Sequence, residues 1–300
     1  MVLTERRVRL PDFLLIGTMK SGTTTLFRWL EAHPGTAMPR VKEPGFFSNN
    51  GTWRRGLDWY GSLFDSATDD VLTGEASVDY TDPSKAAIAA DRINRVIPGV
   101  RLLCLLRHPI DRMRSHYRHE VQRGRERAAF PDAVTRPGNP YVERSDYYEC
   151  LLPYLDRFEP SALGILRFES LVDADAEAWF AALRHVGLEE IEPPGTAFNV
   201  TEEKEQYTRA MRFLWERGVV DRVSPLIRAT GMRHAARRVL LRRDEEYDSR
   251  LSHSKEDPVP PAISEMLWAS TARLESALDL GPLWELQETA ETAEIAASSA

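Results

Sequence analysis

Apolar positions along the chain switch repeatedly between two periods, and the switching predicts strands separated by helices. Phe13, Leu14, Leu15 and Ile16 form an uninterrupted apolar run closed by Gly17, as expected of a strand buried on both faces. From Thr23 the period lengthens: Leu26, Trp29 and Leu30 recur at helical spacing until His33-Pro34 stops them. Val71 to Ser77 predicts a strand with a carboxylate, Glu75, at its end, and Val100 to Leu106 (VRLLCLL) is the clearest buried strand of all. Ala162 to Phe168 supplies another. Helices are expected from Ser84 to Val96, Ile110 to Gln122, Tyr147 to Phe158 and Ala174 to His185, with a short one from Leu57 to Phe64. Thr36 to Phe47 reads as a short extended segment ending in a loop, and Pro131 to Ser145 as a loop rich in Pro, Gly and Asn. Strands alternating with helices give an α/β fold, a parallel β-sheet flanked by helices.

Past Asn199 the character shifts. Glu202 to Leu241 is helix-forming and rich in arginine, and Asp257-Pro258-Val259-Pro260-Pro261 then punctuates the chain before a last helix from Ala262 to Leu278. Residues 288–300 lack aromatic side chains and carry little apolar bulk, so a disordered tail is expected over 286–300. Residues 1–285 are expected to form one α/β domain, with 202–250 inserted as an additional Arg-rich helical segment near the C-terminus.

Composition narrows the function. A net charge of −7 argues against bulk nucleic-acid binding, although Arg107 to Arg127 and Arg222 to Arg243 concentrate positive charge locally. The two cysteines, Cys104 and Cys150, support neither a disulfide framework nor a structural zinc site. No signal-peptide core and no apolar run of roughly eighteen residues occur, so a cytoplasmic protein without stable membrane insertion is expected.

Candidate chemistry centres on the loop between the first strand and helix, Gly17-Thr18-Met19-Lys20-Ser21-Gly22-Thr23-Thr24. Unpaired backbone N–H groups and the positive end of a helix dipole converge there, which suits a phosphate, and Lys20 adds a full charge. The bland alternative is a strand-to-helix turn with an exposed lysine. A Walker A loop reads G-x-x-x-x-G-K-[ST], whereas here the lysine stands two positions before Gly22. This order resembles the 5′-phosphosulfate loop of sulfotransferases that use 3′-phosphoadenosine 5′-phosphosulfate (PAPS). The segment RLLCLLRHPIDRMRSHYRH likewise resembles their 3′-phosphate motif, and Val41-Lys42-Glu43-Pro44-Gly45-Phe46-Phe47 resembles the K-E-P-x-F-F segment of the heparan-sulfate-type and related bacterial enzymes. The resemblance covers most of residues 11–190, with a weaker echo in the final helix and Leu283-Trp284.

The resemblance implies a P-loop-like fold and transfer of a sulfuryl group from PAPS to a hydroxyl or amine, with no metal. Lys20, Ser21, Gly22, Thr23, Thr24 and Thr25 would hold the 5′-phosphosulfate, with Lys20 stabilising the leaving phosphate. Arg107 and Ser115 would hold the 3′-phosphate, and Glu43 would be the general base, with Lys42 beside it. A small-molecule, glycolipid or saccharide acceptor is expected, and the Arg and Ala content suggests a GC-rich bacterial source. The chain departs from the heparan-sulfate-type pattern in two places. Ala76 stands where those enzymes carry a lysine, which weakens the case for a sulfated polysaccharide acceptor, and the cysteine-bridged basic loop is missing. The 202–250 segment is expected to act as a lid in its place, with Arg209, Arg250 or Lys255 contacting the donor.

Other readings stay open. A nucleotide kinase would end a strand in a Mg²⁺-holding aspartate, whereas VRLLCLL ends in Arg107. A nucleotide-binding module without turnover would not need both Lys20 and Glu43. Arg112, Arg114, Arg118, Arg123, Arg125 and Arg127 read as a solvated face. His116 and His119 have the spacing of a metal pair but no third ligand nearby, and His33 reads as a helix-ending residue.

Overall fold

Each apolar run that reads as a buried strand joins one sheet. The computed structural model describes residues 8–194, 254 and 257–285; the 202–250 segment with Arg209 and Arg250, Lys255 and the tail 286–300 lie outside them. Five strands, β1 (Phe13–Gly17), β2 (Thr36–Ala37), β3 (Leu72–Ala76), β4 (Arg101–Leu106) and β5 (Leu163–Arg167), lie in the order β2-β3-β1-β4-β5. All pairs are parallel; Leu15 of β1 sits opposite Ala76 of β3 and Leu103 of β4. The connections run from β1 outward to β2 and back to β3, then across β1 to β4. The carboxyl ends flanking β1 are where such a sheet opens a crevice for ligands.

Helices cover both faces. They are α1 (Thr23–Ala32), α2 (Asn50–Trp53), α3 (Gly56–Ser62), α4 (Ala86–Val96), α5 (Pro109–Gln122), α6 (Phe130–Thr135), α7 (Pro140–Glu143), α8 (Tyr147–Leu155), α9 (Phe168–Val172), α10 (Ala176–Val186) and α11 (Pro261–Ala277). The period of two in the strands sorts their side chains. Phe13, Leu15, Leu103 and Leu105 meet Leu26, Trp29 and Leu30 of α1 and Trp179 and Leu183 of α10. Leu14, Ile16, Leu102, Cys104 and Leu106 meet α4, α8 and Leu274 of α11. Each fully buried leucine is worth about 1.5–3 kcal/mol, so β1 and β4, buried on both faces, hold their carboxyl ends as fixed platforms.

Three expectations change in detail. Only Thr36–Ala37 of the 36–47 segment pairs in the sheet, because Pro39 and Pro44 have no N–H to give a ladder. The 131–145 stretch is not a plain loop: it holds α6 and α7, the latter started by Asn139, whose side chain accepts from Val142 N at 2.9 Å. Arg112, expected on a solvated face, is fully buried.

Candidate functional site

The loop after β1 is pinned before it reaches its helix. Thr18 N donates to Leu105 O at 2.7 Å, and the Thr18 hydroxyl lies 2.6 Å from Ser21 Oγ, which ties the loop to the end of β4 and closes it on itself. Lys20 and Gly22 both take left-handed backbone conformations, with φ of 72° and 84°. Gly22 is the N-cap of α1. A Cβ there would stand 2.5 Å from Cδ2 of Phe168, so the position admits only glycine without a shift of that ring. The N–H groups of Thr23 and Thr24, in the first turn of α1, have no acceptor within the helix and are available to an anion. Those of Ser21 and Thr25 are already bonded inside the loop, to Thr18 O at 3.3 Å and Gly22 O at 2.9 Å. Of the residues from Ser21 to Thr25 expected to hold an anion, Ser21 and Thr25 thus have their backbone N–H groups engaged, and Thr23 and Thr24 do not spend theirs within the helix.

The second candidate element adjoins the first. Arg107 follows β4, and its guanidinium lies over the Phe168 ring, 4.6 Å from the centroid. Phe168 thus touches both the arginine and the space above Gly22. The Tyr147 hydroxyl donates to Arg107 O at 2.5 Å and fixes the strand exit. Arg107 Nε is buried without a hydrogen-bond partner among the described residues, as is Arg118 Nε. A buried unmatched donor costs roughly 1–3 kcal/mol, so such a nitrogen is poised for an incoming acceptor. Ser115 is buried on α5, one turn before Arg118 on the same side of that helix.

Arg112, one turn before Ser115, links this helix to the loop. It donates from Nη1 to Met19 O at 3.3 Å, from Nε to Ser145 Oγ at 2.7 Å and from Nη2 to Tyr141 O at 2.7 Å. Burial pulls its pKa down to about 10, so it stays cationic at neutral pH. Arg144, paired with Asp82, reaches Met19 Sδ at 3.0 Å. Two arginines therefore hold the residue next to Lys20. Burial, then Arg112 and Arg144, push His116 far below its usual range, and burial followed by Lys20 takes His119 to about 4. No group of three or more metal-ligating side chains occurs among the described residues.

Across the sheet, Glu43 is exposed, ion-paired with Lys42, and left-handed at φ 63°. Its N–H donates to Ala76 O at 2.9 Å, the last residue of β3, so it stands at the same carboxyl edge. Among the described residues four non-glycines have positive φ, and Lys20 and Glu43 are two of them. Strain of this kind gathers at functional sites. Below Glu43 lies Glu75, fully buried and accepting from Ser77 Oγ at 2.9 Å and from the hydroxyls of Tyr60 and Tyr80. Burial raises its pKa to about 7.

The structure thus places Lys20, Ser21, Gly22, Thr23, Thr24 and Thr25 in the loop and first turn after β1, Arg107 directly after β4 and Glu43 against the last residue of β3, while Ser115 lies in the second turn of α5. It sets His33 apart, with Nε2 against Glu189 O at 2.9 Å at the far end of α1. Sequence reasoning missed Arg112, Phe168 and the hub at Glu75. The helical spacing of Arg112 with Ser115 and His116 was the available signal for the first.

Comparison with known proteins identifies the family. Residues 10–178, more than half of the chain, match the family model described as sulfotransferase domain. Membrane-associated sulfotransferase kil1 of Dictyostelium discoideum is 36% identical over 116 residues, covering 38% of this chain and 24% of that protein. Bifunctional heparan sulfate N-deacetylase/N-sulfotransferase 3 of Homo sapiens is 33% identical over 158 residues, 48% of this chain and 17% of that protein. The chain therefore spans about a quarter or less of the length of these two relatives. A crystal structure of a sulfotransferase from Alicyclobacillus acidocaldarius superposes with a TM-score of 0.54 at 25% identity, covering 74% of this chain and 96% of that one.

Proposed function

The chain belongs to the sulfotransferase family; from that premise we propose that it is an enzyme of sulfuryl transfer whose donor is PAPS and whose acceptor is a hydroxyl or amine of a small molecule, glycolipid or saccharide. The observation that carries the donor reading is the pairing of two anion-binding elements through Phe168, a lysine-bearing loop at a helix N-terminus and a strand-end arginine with a buried unmatched Nε.

In this reading the Gly22 to Thr24 N–H groups and Lys20 hold the 5′-phosphosulfate, with the Ser21 and Thr25 hydroxyls lining the loop. Arg107 and Ser115 hold the 3′-phosphate. Glu43 accepts the acceptor's proton as the acceptor oxygen or nitrogen bonds to sulfur. The bond from sulfur to the bridging phosphate oxygen breaks, and Lys20 offsets the charge left on 3′,5′-ADP. A single oriented donor to that oxygen is worth roughly 3 kcal/mol. The proton chemistry and charge stabilisation are supplied by side chains, so the proposal includes no metal. Among the described residues no helix is long and apolar enough to cross a membrane. Residence in the cytoplasm belongs to the same proposal, supported by two buried free thiols, Cys104 and Cys150.

The kinase alternative would look to a carboxylate at the strand beside β1, and Glu75 occupies that place. Its oxygens are turned to three hydroxyls beneath the surface rather than toward the loop. Thermal unfolding with 3′,5′-ADP against ATP plus Mg²⁺ tests the choice. A ligand at a hundred times its Kd adds about 2.7 kcal/mol, several degrees for a chain of this size. A shift with 3′,5′-ADP alone is expected; a shift with ATP–Mg²⁺ alone would transfer the protein to the kinase reading.

A further inference from the structure

We propose that Glu75 is a positioning residue for the loop that presents Glu43, acting through the hydroxyls of Ser77 and Tyr80. The proposal rests on the reading of Glu43 as the base, but its geometry stands apart from donor binding. The Glu75 carboxylate is fully buried and faces three hydroxyls: Tyr60 from α3 at 3.2 Å, Ser77 at 2.9 Å, and Tyr80 from the short helical turn Val78–Thr81. An ionised carboxylate only accepts, so all three hydroxyl hydrogens point inward to it.

That orientation leaves oxygen lone pairs facing outward, and two of them meet the Glu43 loop. Gly45 N donates to Ser77 Oγ at 3.0 Å, and Phe47 N to Tyr80 OH at 3.4 Å. Glu43 N is held on Ala76 O at 2.9 Å, the residue after Glu75. Three consecutive contacts along residues 43–47 therefore trace back to the end of β3, two of them through the carboxylate. Hydrogen bonds run in one direction, from loop N–H to hydroxyl to carboxylate, and such chains strengthen cooperatively. They keep Glu43 in a left-handed conformation that a free loop would leave.

Protonating Glu75 reverses one link. The acid O–H must donate to a hydroxyl, whose own hydrogen then loses its acceptor and competes with the loop N–H. The groups facing Glu75 are Tyr60, Tyr80 and Ser77 by contact and Lys42 by charge, while Tyr154 of α8 also feels its field. Lys42 is the ion-pair partner of Glu43, so it links the two carboxylates electrostatically. Because burial brings the Glu75 transition to neutral pH, the loop should tighten as pH rises through about 7.

Backbone amide exchange tests this without an acceptor. Protection factors of Gly45 and Phe47, corrected for the intrinsic rate, should rise roughly ninefold between pH 6 and 8, following the ionised fraction from about a tenth to about nine tenths. In Glu75→Gln they should be low and flat with pH, while the β1 and β4 amides keep wild-type protection. Ser77→Ala, the milder variant, should lose protection at Gly45 and retain it at Phe47. Wild-type protection that does not change with pH, or full protection in Glu75→Gln, would overturn the proposal. Binding of 3′,5′-ADP to the same samples should be unchanged in Glu75→Gln. Wild-type protein that fails to bind it would refute the donor reading, and the exchange profile would still decide the role of Glu75.

Discussion

Gly22 and Phe168 make a sharp test of the loop after β1, because the two meet without sharing a strand or helix. Gly22→Ala has two separable costs. A side chain at φ 84° costs about 1–2 kcal/mol by backbone sterics alone. The new Cβ would also lie 2.5 Å from Phe168 Cδ2 and 2.7 Å from Cε2, so the ring must move. Moving it disturbs the Arg107 contact at 4.6 Å, an interaction of about 0.5–2 kcal/mol. The total expected loss is about 2–4 kcal/mol. In a Phe168→Ala background the steric part disappears and Gly22→Ala should cost only the backbone part. Urea unfolding of the four proteins should therefore give a coupling energy of about 1–2 kcal/mol. Titration with 3′,5′-ADP should show affinity falling in Gly22→Ala as Arg107 is displaced. An equal cost of Gly22→Ala in both backgrounds would refute the contact.

Arg112→Met should cost about 3 kcal/mol in urea unfolding, since it removes three hydrogen bonds made by one buried guanidinium, to Met19 O, Tyr141 O and Ser145 Oγ; Arg112→Lys should not rescue it, lacking the planar fork. Glu75 has a folded pKa near 7 against an ordinary value of 4.5, so the folded state holds the extra proton between them and this group's contribution to stability declines as pH rises from 4.5 to 7. The stability of Glu75→Gln relative to wild type should accordingly improve by up to about 3 kcal/mol from pH 5 to pH 8, and a difference independent of pH would contradict the shift. His119 behaves in the opposite sense: its folded pKa near 4 lies below the ordinary 6.5, so its contribution is present above pH 6.5 and lost as pH falls toward 4. With its ring partly exposed, His119→Gln should remove at most about 2 kcal/mol of acid sensitivity, measured by unfolding at pH 7 and pH 5.

The parts of this architecture that were legible in the chain are those written in local pattern. The runs Phe13–Gly17 and Val100–Leu106 announce themselves as strands buried on both faces, so the loop after the first and Arg107 after the second are placed by local pattern, whereas Ser115 and Glu43 stand out only through the family resemblance. Arg112 was hidden by its neighbours: a dense run of arginines shows charge but not direction, and only the turn of α5 puts this one inside. The Glu75 hub draws on Tyr60, Ser77 and Tyr80 from separate elements, which no spacing rule joins. Of the helices in 131–145, α7 starts from a single cap, Asn139, set among residues that otherwise favour turns.

The central claim, that Arg107 and Ser115 form a receptor for a 3′-phosphate beside the 5′ loop, is tested most directly by calorimetric titration of 3′,5′-ADP and 5′-AMP into wild type and Arg107→Ala. A charge-assisted hydrogen bond is worth about 1.5–3 kcal/mol, so wild type should prefer 3′,5′-ADP by roughly ten- to a hundredfold or more. Arg107→Ala should abolish most of that preference while leaving 5′-AMP affinity in place. Equal binding of the two nucleotides by wild type, or a preference that survives in Arg107→Ala, would contradict the account.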